Sequence, residues 1–182
     1  MEEDVDHFGN HEFVQRLTVA HSSRSPGLAS ARRWRPGDVD DDLVALVGAT
    51  PPGQYPSFAM TAKLFAIWHC GRSSKPQGYT VNGIGRWVRQ LGVKDPKARR
   101  LIDRIIAADT EDDLTSALAA LAATRTRHPP QWEKVLAELL RWADPAARTD
   151  IRFAWARDFH RYVPPRAHST LAPEMSRTQE TT

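Results

Sequence analysis

Cations spaced three and four residues apart on one side of a helix can follow a row of phosphates, and the stretch from Asn82 to Asp109 is built that way. Asp95 followed by Pro96 is a helix start, because a carboxylate accepts unpaired N–H groups and proline needs no donor at the first helical position. Leu101, Ile102, Ile105 and Ile106 form the apolar side of that helix. Lys97, Arg100 and Arg104 line its other side, and Arg99 is placed to pair with Asp103 one turn on. A shorter helix before it sets Ile84, Trp87, Val88 and Leu91 at i, i+3, i+4 and i+7, with Arg86 and Arg89 pointing away. From Arg72 to Ala108 nine Lys or Arg stand against two Asp or Glu, a local excess of +7 in a chain whose net charge is +3. Fixed cations gain free energy by releasing counterions from nucleic acid, so a phosphate-tracking surface is one reading. A solvated face that only keeps the protein soluble is the other.

A second basic cluster, Arg32, Arg33 and Arg35, surrounds Trp34. An aromatic among arginines suits stacking on bases, and it equally suits a core anchor with solvated neighbours. Lys63 is the one charge on a strongly apolar helix, 55–68, and emerges on its polar side. Arg125, Arg127 and His128 complement the negative end of a later helix, and Glu111, Asp112 and Asp113 complement its positive end after a Thr110 capping box.

Catalytic chemistry is hard to find. There is no Gly-x-Ser-x-Gly, no Walker-type phosphate loop, no His-Glu-x-x-His and no Cys-x-x-Cys. The two glycines of NGIGRW follow no strand, so they make a poor dinucleotide loop. His7 and His11 are four apart at a terminus, and His69-Cys70 has no second ligand pair and reads as helix-end packing. No catalytic residue, metal ligand or cofactor is assigned, and an enzyme is the least favoured class.

The 182 residues suffice for a sizeable core, and six Trp supply large anchors. An isoelectric point near 9.3 favours an anionic partner. The single cysteine, Cys70, rules out an internal disulfide framework and fits a reducing cytoplasm. No run approaches the length of a membrane span and the first residues are acidic, so the expectation is a cytoplasmic protein without a membrane partner.

Apolar residues recur at helical spacing between Pro and Gly punctuation, and strand-like alternation is brief. The expected fold is all-α, a bundle of about seven to nine helices in two packed lobes. The expected divisions are a disordered acidic segment 1–9, an N-terminal helical lobe 10–70 capped at Asn10, a flexible basic linker 71–81, a C-terminal lobe 82–162 and a disordered tail 163–182. Within the second lobe, Pro129-Pro130 opens a helix with Trp132, Val135, Leu136, Leu139, Leu140 and Trp142 apolar and a Lys134–Glu138 pair facing solvent. Asp144-Pro145 opens the last helix, with Ile151, Trp155, Phe159 and Tyr162 on its buried side and Arg148, Arg152, Arg157 and Arg161 around it.

The order of these segments resembles a known family. Arg32-Arg33, then LFAIWH, GIGRWVRQLG, KARRLIDRIIAAD, PPQWEKVLAELLRW and RFAWARDFHRY together are similar to the CasB family, over about Phe13 to Tyr162. These are the small subunits of the type I-E CRISPR surveillance complex, Cascade. The resemblance implies a non-enzymatic two-lobed helical protein that pairs with a second copy and lies beside the backbone and large subunits. It implies a basic surface that binds nucleic acid with little sequence preference and holds the DNA strand displaced by the guide RNA, with crRNA and duplex DNA as further nucleic-acid partners. The family's basic pattern carries to Arg32, Arg33, Arg86, Arg99 and Arg100, with Lys63 beside a further basic position. Two departures stand out: Leu114 to Thr124 is nearly all Ala, Leu and Thr where many relatives carry arginines, leaving Arg125 and Arg127 as the nearest substitutes, and the tail after Tyr162 has no counterpart.

Two competing functions remain at this stage. One is an interaction module whose basic face docks on partner subunits without touching nucleic acid. The other is a helix-turn-helix regulator built around Gly92, though the Asn, Gln and Ser that read base edges are sparse there.

Overall fold

A computed structural model describes residues 3–71, 81–124 and 126–160, with side chains from residue 9 onward except that of residue 52. Arg125, Arg161, Tyr162, the tail and all of the expected linker but its two ends lie outside the described residues. Nine α-helices make up the described chain: α1 Glu3–Ser22, α2 Pro26–Arg33, α3 Asp41–Val47, α4 Tyr55–Trp68, α5 Gly83–Arg89, α6 Pro96–Ala107, α7 Glu111–Ala123, α8 Trp132–Ala143 and α9 Arg148–His160. A single 3₁₀ turn, Pro52–Gln54, leads into α4. The described residues form no strand, only an isolated parallel bridge between Val81 and Pro130. The fold is an all-α bundle.

Local chemistry sets many of the boundaries. Ser25 accepts from Gly27 N at 3.2 Å to start α2, Asp40 from Leu43 N at 3.0 Å to start α3, and Asp95 from Lys97 N at 2.7 Å to start α6. Thr110 accepts from Asp113 N at 3.1 Å and its hydroxyl donates to the Asp113 carboxylate at 2.7 Å, which begins α7. Other boundaries moved. α1 already runs from Glu3, so Asn10 lies within the helix, 6% exposed, and does not cap it. Pro129 and Pro130 precede α8 in extended chain, where Val81 N donates to Pro129 O and Gln131 N to Val81 O. Asp144 caps a turn through Ala146 N, and α9 begins only at Arg148.

The buried side chains form one contiguous core from Phe13 to Phe159. α4, apolar nearly all round, packs on α2, α3, α7 and α8. α1 closes over α8, α5 lies along α9, and α6 rests on α7, α9 and α5. Thr126, in the turn before α8, ties α4 and α5 together: Trp68 Nε1 and Trp87 Nε1 donate to its hydroxyl at 3.1 and 2.9 Å.

Glu138 overturns a sequence expectation. The residue does not face solvent with Lys134; it is 5% exposed and reaches the N-terminus of α5. Its Oε2 accepts from Ile84 N at 2.8 Å and from Trp155 Nε1 at 3.0 Å, joining α5, α8 and α9 through one atom. Burial pushes its pKa above the ordinary glutamate value, against the lowering effect of those two donors. The same packing explains both glycines of NGIG. A Cβ on Gly83, which has φ +73°, would collide with the Glu138 carboxylate, and one on Gly85 would collide with the Trp155 carbonyl. They are there so that α5 can approach α8 and α9 closely.

Candidate nucleic-acid interface

α6 presents the clearest basic surface among the described residues. Ala98, Leu101, Ile102 and Ile105 are buried, so the helix is held by one face, and Lys97, Arg99, Arg100 and Arg104 are left exposed on the rest. None of the ion pairs among the described residues uses an α6 cation. The expected Arg99–Asp103 pair is absent: Arg99 Nε donates instead to Val93 O at 3.1 Å, leaving the rest of its guanidinium outward. Among the described residues Arg104 makes one hydrogen bond, to Ser116 Oγ on α7 at 3.5 Å. A row of cations without carboxylates of its own can take phosphates with no internal pair to break first.

A second basic patch lies at the end of α2. Arg32 and Arg33 are exposed there, and Arg33 makes one 3.4 Å contact with Ser30 Oγ. Trp34 does not stack outward with them: it is 3% exposed and its Nε1 donates to Asp38 O at 3.0 Å. Lys63 joins this patch from α4, its Nζ donating to Arg32 O at 3.0 Å and Trp34 O at 2.6 Å. Its ammonium holds the C-terminal end of α2, where unpaired carbonyls gather. Burial and the neighbouring Arg35 lower its pKa.

A third group forms around the turn before α8. Gln90 Nε2 donates to His128 O at 2.8 Å and His128 N to Gln90 Oε1 at 2.9 Å, which ties the turn carrying exposed Arg127 to the end of α5, the helix of half-buried Arg86 and Arg89. Arg89 also donates to Phe159 O at 3.4 Å, at the end of α9.

Sequence reasoning missed how often cations finish helices elsewhere in the chain. Arg16 donates to Val47 O at 2.7 Å at the end of α3, and Arg152 and Arg148 reach Ala108 O and Asp109 O beyond α6. Arg152 also pairs with Asp109 at 2.8 Å, and Arg148 lies over the Trp142 ring at 4.4 Å. Such pairings depend on tertiary packing and leave no local pattern. Of the predicted positions, the structure therefore joins Lys63 to Arg32 and Arg127 to α5. It sets α2 among α1, α3 and α4, and α6 among α5, α7 and α9, so these two basic helices pack on different neighbours. Among the described residues no group of His, Cys, Asp or Glu is arranged to hold a metal, and no helix is long and apolar enough to cross a membrane.

The family model for CRISPR-associated protein Cse2 matches residues 27–160, from α2 to the end of α9. The chain belongs to the Cse2 family. It is accordingly a component of the Cascade assembly. Among solved structures, the fold is similar to that of CasB from Thermobifida fusca, with a TM-score of 0.61 at 20% identity, covering 87% of this chain and 97% of that one. Comparison with curated proteins finds no match. The Cse2 match spans α6, the α2 patch, Lys63 and Arg127, so every described candidate cation lies inside the shared region.

Proposed function

We propose that this Cse2-family protein is a non-catalytic Cascade subunit in the cytoplasm that binds nucleic acid without sequence preference. It stabilises the R-loop by holding the DNA strand displaced when guide RNA pairs with its target, in antiviral defence. A second copy, the backbone subunits and the large subunit are its protein partners. The observation that carries this reading is the face of α6, whose exposed cations make no ion pair with any described residue. Strand exchange in an R-loop is close to balanced, so modest protein contacts with a displaced strand shift it toward the open form.

Phosphate tracking has a salt signature. With about four to six phosphates neutralised, log affinity for single-stranded DNA falls against log salt with a slope of roughly −3 to −4. Fluorescence anisotropy with oligonucleotides of unrelated sequence measures this. Binding that ignores salt, or that is absent at low salt, contradicts the reading.

One observation favours a docking role for part of the surface. Phe153 stands 68% exposed on α9, an apolar side chain suited to a protein partner rather than to phosphates. Crosslinks from the displaced strand that fall only on other subunits would extend that docking role to the basic face.

A further inference from the structure

A cleft of about 440 Å³ opens between the α1–α2 corner and the end of α4, within the about 300–1,000 Å³ usual for small-ligand sites. Leu28 and Ala29 give it an apolar side, and His21, Arg24, Arg32 and Cys70 line the rest. Behind His21 lies the buried His69 ring, its centroid 5.2 Å away and its plane tilted by 52°. Arg24 and Arg32 are exposed, and neither guanidinium makes an ion pair or hydrogen bond with any described residue.

Arg24 occupies an unusual backbone position. At φ +56° it is the one non-glycine residue in the left-handed region among those described. It follows α1 where Ser25 N donates back to Ala20 O at 2.9 Å, a helix-ending turn that ordinarily takes glycine. Holding a bulky cation there costs folding stability, and Arg24 lines the cleft together with Arg32.

We propose that this cleft receives one nucleotide of the bound single strand, its phosphate between Arg24 and Arg32 and its base turned inward against the His21 ring and Leu28. Stacking on an aromatic face tolerates any base, which suits a protein that does not read sequence. The proposal rests on the single-strand reading above and adds to it a base-binding step anchored by Arg24, a residue outside the cationic set drawn from the sequence.

Cys70 is the only cysteine in the chain, and it is exposed on the cleft wall, so it reports occupancy directly. The experiment follows the rate at which a neutral maleimide modifies Cys70 in the full-length protein. The protein is free, saturated with oligothymidine, or saturated with an abasic oligomer of equal length, with saturation confirmed by anisotropy. Oligothymidine is expected to slow modification several-fold and the abasic oligomer much less. Saturation by oligothymidine with an unchanged rate, or equal protection by both oligomers, overturns the base-in-cleft proposal and leaves the phosphate-tracking function standing. Failure of any oligomer to bind at low salt removes both.

Arg24→Gly supplies a second, independent readout. Glycine relieves the left-handed backbone, so the melting temperature should rise by about 2 °C. Affinity for oligothymidine should nevertheless drop by about 3- to 10-fold, with a salt slope shallower by roughly 0.7. A merely structural Arg24 would leave affinity and slope unchanged, and that result refutes its role.

Discussion

Replacing Glu138 with alanine is expected to destabilise the protein by about 3–5 kcal/mol, because two buried donors, Ile84 N–H and Trp155 Nε1–H, lose their shared acceptor. The melting temperature should fall by roughly 10 °C for a chain of this size. Glu138→Gln is the informative companion. Both bonds end on a single oxygen, so an amide oxygen in its place can accept both, and the cost should be far smaller than for alanine.

Acidity separates the two variants further. Burial raises the folded-state pKa of Glu138, so the native protein holds this proton longer than the unfolded chain does. Stability from this group is therefore greatest at or below the ordinary glutamate value and is lost as pH rises through the raised one. Glu138→Gln lacks that dependence, so relative to the natural protein it should lose ground as pH falls across this window. Chemical denaturation at a series of pH values checks this, and a difference that stays flat with pH would show that the site does not titrate as described.

The second large effect concerns binding. Changing Lys97, Arg100 and Arg104 together to alanine removes exposed side chains, so stability should shift by no more than about 0.5 kcal/mol per site. Affinity for single-stranded DNA at low salt should fall on the order of 30- to 100-fold, and the salt slope should become shallower by about 2. The loss should be equal for all sequences, since phosphate contacts carry no base information. A loss confined to one sequence would favour base readout, and an unchanged affinity would take α6 out of the interface.

How much of this was legible in the sequence depends on whether the cause was local. α6 was readable in full outline because its cap, proline and apolar stripe all lie within thirteen residues, and α7 was readable for the same reason. The i, i+4 rule links Glu138 to Lys134, whereas Trp142, four residues on, and Val135, three residues back, are buried, and of these further neighbours only Arg141 at i+3 is exposed. That flanking was the available signal, and it places a carboxylate in the core. Trp34 left both readings open, since six Trp in a chain of this size leave core and surface roles alike from composition alone; only packing showed it turned inward. Lys63, Arg16, Arg89, Arg148 and Arg152 each finish a helix far away in sequence, so nothing near them in the chain announces the role. Nothing in the sequence marks Arg24, because a left-handed backbone angle is invisible until the turn is seen.

The central claim is that the basic surface meets the displaced strand, and photocrosslinking in the assembled complex tests it most directly. Cascade carrying guide RNA and bound target, with photoreactive bases placed along the displaced strand, should give crosslinked peptides from α6 and from the Arg32–Arg33 end of α2. Crosslinks that map to other subunits alone, in complexes that have formed a complete R-loop, would contradict it.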